Sequence, residues 1–161
     1  MTESTGAAAP RRIELRRIDR ENLYAVCSLS ETLSAQQRPM VIDNGISIAE
    51  AHFSDCLWFR AVYAGDAPAG FLMVHLGLDE DHPDLRGVFL WRFMVAGPVQ
   101  GRGIGRAALG ALVDRLTARG TRELYTSYAT GPGSPAGFYR TLGFVPTGRI
   151  LDNEHEVVLR W

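Results

Sequence analysis

Lysine is missing from this sequence: all seventeen basic residues are arginine, so no lysine can serve as a catalyst and no phosphate-binding Gly-Lys pair exists. Cysteine is nearly missing as well. Cys27 and Cys56 lack C-x-x-C spacing and are too few for a stapled scaffold, which fits small core residues in a reducing, cytoplasmic compartment. Neither sign of charge is in excess, since seventeen basic residues face eighteen acidic ones for a formal net charge of -1. That balance argues against nucleic acid as the main partner. Long hydrophobic runs are also wanting: none approaches the roughly 18 apolar residues that span a bilayer. Residues 1–10 (MTESTGAAAP) hold no apolar signal region, so the chain reads as soluble and intracellular with no membrane partner. His52, His75, His82 and His155 are scattered without paired-ligand spacing, and no metal site is expected.

What is present is a chain of 161 residues, 46% of them hydrophobic, enough for one domain that buries roughly two thirds of its unfolded surface. Residues 1–11 read as a disordered leader and 12–161 as the ordered domain. Ile13, Leu15 and Arg17 start an alternating strand pattern. Asp19 is placed to cap a helix through about Leu33, and Ser47 a second one from Ile48 to about Phe53. Leu57–Ala64 and Ala69–Leu76 flank Gly65-Asp66-Ala67-Pro68 as a hairpin, and Val88–Val95 is apolar enough for a central strand buried on both faces. A helix from Gly103 to about Ala118 closes at Gly120, and a strand covers Glu123–Tyr128. A short helix, Ser134–Leu142, precedes strands at Phe144–Thr147 and Glu156–Trp161. The sum is an α/β fold of about seven strands and four helices around a mixed sheet.

The segment richest in chemistry runs from Val95 to Arg106, a buried strand followed by a glycine-dense turn that opens a helix. Helix starts present unpaired N–H groups and partial positive charge, and glycines at 101, 103 and 105 let an anion approach the backbone. Arg102 and Arg106 oppose the helix macrodipole by roughly 0.3–1 kcal/mol each unless a polyanion binds there. A dinucleotide fingerprint begun at Gly101 or Gly103 fails, because Arg106 and Ala108 stand where its last glycine belongs. What remains is Q-x-x-G-x-G, from Gln100 to Gly105.

This segment resembles the acyl-CoA pyrophosphate loop of the Gcn5-related N-acetyltransferases. Downstream, Phe138-Tyr139-Arg140-Thr141-Leu142-Gly143-Phe144 is similar to the family's short helix ending in F-Y-x-x-L-G-F. Residues 91–95 (WRFMV) followed by Gln100-Gly101-Arg102-Gly103 further resemble its diamine and polyamine acetyltransferase branch. The resemblance implies a mostly antiparallel mixed sheet with acetyl-CoA as co-substrate. It implies that the backbone from Gln100 through Gly101, Arg102, Gly103, Ile104 and Gly105 to Arg106 holds the pyrophosphate. The main chain of Phe93, Met94 and Val95 would meet pantetheine and the acetyl carbonyl, with Phe93 contributing at the reacting carbonyl. Phe138 and Tyr139 would line the cofactor, Tyr139 lying at the thioester sulfur. Most members carry Asn seven residues before this tyrosine; Pro132 stands there, leaving Ser134 as the replacement contact.

Acetyl transfer needs a neutral amine, although a primary amine has a pKa of about 10.4, and a phenol of pKa about 10 can protonate a departing thiolate. Tyr139 suits the second task. The carboxylate that the histone-modifying branch carries on its fourth strand is replaced by Phe89, so the base must come from elsewhere. Candidates are His75, whose residue type titrates near neutrality, Glu31 on the first helix, and water. Asp79, Glu80, Asp81 and Asp84 either draw a cationic amine toward the cleft or form an ordinary solvated loop. Arg92 in the fourth strand calls for an ion-pair partner. The expected reaction is acetylation of a small-molecule amine, with a diamine or polyamine in first place. A protein N-terminus, an amine antibiotic or a non-catalytic acyl-CoA sensor are the alternatives, and a homodimer is the candidate assembly.

Overall fold

The structure, a computed structural model, describes residues 11–77 and 79–161; all but one residue of the expected leader lie outside the described residues. Seven strands form one sheet in the order β1-β2-β3-β4-β5-β7-β6. They are β1 (Ile13–Arg16), β2 (Leu57–Ala64), β3 (Ala67–His75), β4 (Phe89–Val95), β5 (Glu123–Tyr128), β6 (Val145–Leu151) and β7 (Glu154–Arg160). Every neighbouring pair is antiparallel except β4 and β5, which are parallel because α3 (Ile104–Ala118) carries the chain between them. The other helices are α1 (Leu23–Ser28), α2 (Asn44–Ala51) and α4 (Ala136–Thr141). This is the expected mixed, mostly antiparallel sheet with four helices.

Strand periodicity divides the core in two. Leu72 and Val74 of β3 pack with Leu90 against Ala108, Leu112 and Leu116 of α3. On the opposite face, Phe71 and Met73 meet Val26 of α1 and Ile48 and Ala51 of α2. β3 is thus the strand buried on both faces, with Ala69–His75 wholly inside. The expectation of the same for β4 holds only at Phe89, Leu90 and Met94: Trp91, Arg92, Phe93 and Val95 are half-buried, because β5 parts from β4 after one pair.

Two helix starts differ from the expected ones. Asp43, not Ser47, caps α2 by accepting from the Gly45 N–H at 2.8 Å, and Ser47 is buried inside the helix. Asp19 caps the turn before α1, accepting from Glu21 N–H, while Asn22 occupies the helix N-cap position. The last two strands are longer than the sequence suggested, and Asp152-Asn153, with φ of 47° and 68°, form the two-residue turn between them.

Glu156 on β7 is fully buried between two arginines, 2.6 Å from Arg86 Nη2 and 3.3 Å from Arg149 Nη1, and it accepts from Thr147 Oγ1 at 2.7 Å. Arg149 also donates to Asp84 O at 3.0 Å. The cluster therefore fastens the acidic loop after β3 to the β6–β7 hairpin. Glu156→Ala would leave a small cavity and remove the acceptor that Arg86, Arg149 and Thr147 share; both guanidinium groups keep access to solvent, so the expected loss in urea titration is about 1–3 kcal/mol.

Candidate active site

β4 and β5 pair at Phe89 with Tyr125, where Tyr125 N–H reaches Val88 O at 3.0 Å. One residue further, the Thr126 hydroxyl bridges the widening gap to Leu90 O at 2.9 Å. Ala96 N–H donates to Ala69 O on β3, so by alternation the backbone groups of Phe93 and Val95 point away from β3, into the gap. A parallel sheet opening at the carboxyl end of two strands leaves unpaired main-chain donors facing a crevice.

Two clefts meet at this opening. The first, about 540 Å³, runs between the start of α3, α4 and the segment around Met40; the second, about 740 Å³, lies between the acidic loop and the β6–β7 hairpin. Both touch Met40, Val41, Phe93, Pro135 and Tyr139. A donor and an acceptor could therefore approach one point from opposite sides.

In the first cleft, Gly101 and Gly103 have φ of 74° and 81°, conformations that glycine adopts without strain, and nothing stands within 4 Å of where either Cβ would be. The space is left to a ligand, beside the unpaired N–H groups of the α3 start. A pyrophosphate fits this cradle. Gly105 has another purpose: a Cβ there would come within 3.0 Å of the Phe138 ring, so it lets α4 pack against α3. Ile104 and Met94 also line the cleft, and both belong to the core clusters. Gln100 donates to Val95 O at 2.9 Å and to Gln37 Oε1 at 3.3 Å, tying the turn to the opposite wall. Arg106 lines the cleft and donates to Thr141 O, whereas Arg102 is exposed outside the lining. Ser134 lines it too, and its hydroxyl accepts from Ala136 N–H at 3.3 Å, just before α4.

Tyr139 stands at the junction, buried, with its ring stacked on Tyr128 at 6.1 Å and edge-on to Phe138 and Phe144. Phe93 stacks on Phe138 at 5.8 Å. Burial pushes the Tyr139 hydroxyl up to about 12, with a smaller downward effect from a hydrogen bond with Thr126 and an upward one from the charge of Glu154. It therefore remains a donor throughout the physiological range. Such a group can hold a proton against a departing thiolate.

The remaining sequence candidates are dispersed. His75 is fully buried: Nε2 meets Asp79 Oδ2 at 2.9 Å, Nδ1 accepts from Gly77 N–H at 3.1 Å, and neither cleft reaches it. Asp79 is occupied by this contact and by Asp81 N–H, and the His75 hydrogen bond holds its carboxyl below the ordinary value. Glu31 is exposed on a single 3₁₀ turn after α1 and, like Glu80, lines neither cleft. Asp81 does line the second cleft, joined by Asp84 from the same loop. Arg92 has its ion pair, with Glu50 Oε2 of α2 at 3.3 Å.

A model of the acetyltransferase (GNAT) family matches residues 17–144. The chain belongs to this family. It is an N-acetyltransferase that uses acetyl-CoA, and the glycine cradle at α3 fits that co-substrate. Solved structures share the fold at low identity. An acetyltransferase from Thermus thermophilus is 21% identical with a TM-score of 0.67, over 94% of this chain and 99% of that one. The PaiA N-acetyltransferase from Thermoplasma acidophilum, in complex with coenzyme A, is 14% identical with a TM-score of 0.69, over 93% and 99%. Arabidopsis thaliana Naa50, in complex with the bisubstrate analogue CoA-Ac-MVNAL, is 20% identical with a TM-score of 0.62, over 92% and 99%. No curated protein sequence matches the chain at a significant level. Among the described residues, no helix is long and apolar enough to cross a membrane.

Ser127, Asp152 and Glu154 are among the polar residues of the second cleft that were not singled out in the sequence. The Asp152-Asn153 pair was the available signal. Read as a tight turn, it would have extended the last strand back to Glu154 and set that carboxylate beside the end of β5.

Proposed function

We propose that this N-acetyltransferase acts on a small cationic amine, with a linear diamine or polyamine as the best fit. The observation that supports this is the charge of the second cleft. Asp81, Asp84, Asp152 and Glu154 line it, and among the described residues none forms an ion pair within 4 Å. Its two arginines, Arg92 and Arg149, are held by Glu50 and Glu156. The surplus is negative, and a cleft with low-dielectric walls concentrates that field on an incoming cation.

Bound acetyl-CoA supplies an activated thioester carbonyl. The α3 start would hold its pyrophosphate by backbone N–H groups, and the main chain of Phe93 and Val95 would align pantetheine and polarise the carbonyl oxygen. Oriented donors of this kind contribute roughly 3–4 kcal/mol each in acyl transfer. Tyr139 would give its proton to the departing sulfur. His75 is assigned no proton-transfer role, since both ring nitrogens are engaged, and Glu31 none because it lines neither cleft.

Thiol release measured across linear amines of one length and rising positive charge tests the reading. kcat/KM should increase with each added charge and fall with salt, since attraction in solution is screened over roughly 8 Å at physiological ionic strength. Converting Asp81, Asp84 and Asp152 together to asparagine should raise KM for a dication about tenfold or more while kcat changes little, because a long-range field acts alike on ground and transition states. Equal rates for neutral and dicationic amines would reject it. A protein N-terminus is the second reading, favoured by the fold shared with a peptide-analogue-bound N-acetyltransferase, and it would appear as turnover of peptides in preference to diamines.

A further inference from the structure

We infer that Glu154, held by Ser127 at the end of β5, is the proton acceptor for the incoming ammonium, and this rests on the reading of the second cleft as the acceptor site. Three observations converge on Glu154. Its carboxylate lines the second cleft, which it shares with Tyr139 and Phe93. The Ser127 hydroxyl donates to its Oε2 at 2.5 Å, leaving the other oxygen for a second partner. Its charge acts on both the Tyr139 hydroxyl and Arg92 of β4, which line the same cleft.

β4 carries no carboxylate, and the alternative bases of the sequence are walled off or distant. Pairing of β5 with β7 brings a carboxylate back from two strands away. Ser127 faces Glu156 in the register, and Glu154 is the next residue on the same face of β7. Glu156 is consumed by Arg86 and Arg149, whereas Glu154 keeps no cation within 4 Å among the described residues. Other ionisable groups of the cleft are Asp152 and Arg149 on the hairpin and Asp81, His82 and Asp84 on the acidic loop.

The proton count closes. The ammonium gives its first proton to Glu154, which holds it while the nitrogen lone pair forms the new bond to the acetyl carbon and releases it to solvent through the open cleft after transfer. The carbon–sulfur bond breaks as Tyr139 protonates the sulfur. The second proton leaving the nitrogen restores the tyrosine hydroxyl, for a net release of one proton.

Glu154→Gln keeps the shape and the Ser127 contact while removing the proton acceptor. With whichever amine the wild type turns over, kcat/KM at about pH 7 should fall roughly 10²–10³-fold. The variant must draw on amine already neutral in solution, so its rate should climb about tenfold per unit up to about pH 9–10, where the wild type changes little. Calorimetric titration of the acetyl-CoA-free protein with a linear diamine should show affinity reduced about tenfold, a readout independent of turnover. Ser127→Ala should reproduce a smaller loss with the same direction of pH dependence. Wild-type turnover with an unchanged pH profile and near-normal rate in Glu154→Gln would overturn the assignment alone. Failure of the wild type to acetylate any amine would instead overturn the acceptor-site reading and this inference with it.

Discussion

Tyr139→Phe is expected to lower kcat by roughly 10²–10⁴-fold while leaving acetyl-CoA affinity within a few fold of wild type. The ring is the larger part of this residue's structural contribution, stacked on Tyr128 and set edge-on against Phe138 and Phe144, and phenylalanine retains it. Only the hydroxyl is lost, with its hydrogen bond to Thr126, so stability should change by about 1 kcal/mol or less. Burial places the hydroxyl at about 12, so the donor form exists below that value and is depleted only above it. The wild-type kcat profile should therefore show no falling limb from this group below about pH 11. A thioester with a more acidic thiol should narrow the gap between variant and wild type. Full turnover in the variant would reduce Tyr139 to a packing residue, and a loss independent of the leaving group would make its hydroxyl a positioning device.

Gly103→Val should weaken acetyl-CoA binding about 100-fold, or roughly 2.8 kcal/mol. Gly103 is the N-cap residue of α3 with φ of 81°, and the Cβ direction points into open space within the cofactor cleft. A β-branched side chain there both fills the approach to the helix N–H groups and strains the backbone, the latter costing about 1–3 kcal/mol. Gly120 separates the two effects. It has φ of 84° at the other end of α3, is equally free of neighbours within 4 Å, and lines neither cleft. Gly120→Val should lose comparable stability and retain binding. Equal affinities for the two variants in calorimetry would remove the pyrophosphate assignment from the α3 start.

Local signals in the chain were sufficient for most of the fold. Alternation marked β1, the turn at Gly65-Asp66-Ala67-Pro68 marked β2 and β3 as a hairpin, apolar spacing and Gly120 marked α3, and the Gln100–Gly105 turn with the Phe138-Tyr139 helix was visible as two contiguous motifs. These features depend on neighbours in sequence. The second cleft depends on neighbours in space, and it was only partly legible. Asp81 was singled out from its charge run, but Ser127 and Glu154 are 27 residues apart and meet only because β7 pairs with β5. His75 attracted notice as a lone histidine on an apolar strand; Gly77 N–H and Asp79 account for it as a satisfied buried side chain. The openness of β4 could not be read from its apolar composition either. It follows from the single pair between β4 and β5, which leaves Trp91 and Phe93 half-buried, packed on the core and lining the second cleft at once.

The most direct measurement offers the protein isotopically labelled acetyl-CoA with an equimolar mixture of a linear diamine, a neutral amine of the same length and a peptide with a free N-terminus, and identifies the labelled product by mass spectrometry. The account predicts label on the diamine, in a yield that falls as salt is added. Label confined to the peptide or to the neutral amine, or a yield indifferent to salt, would contradict it.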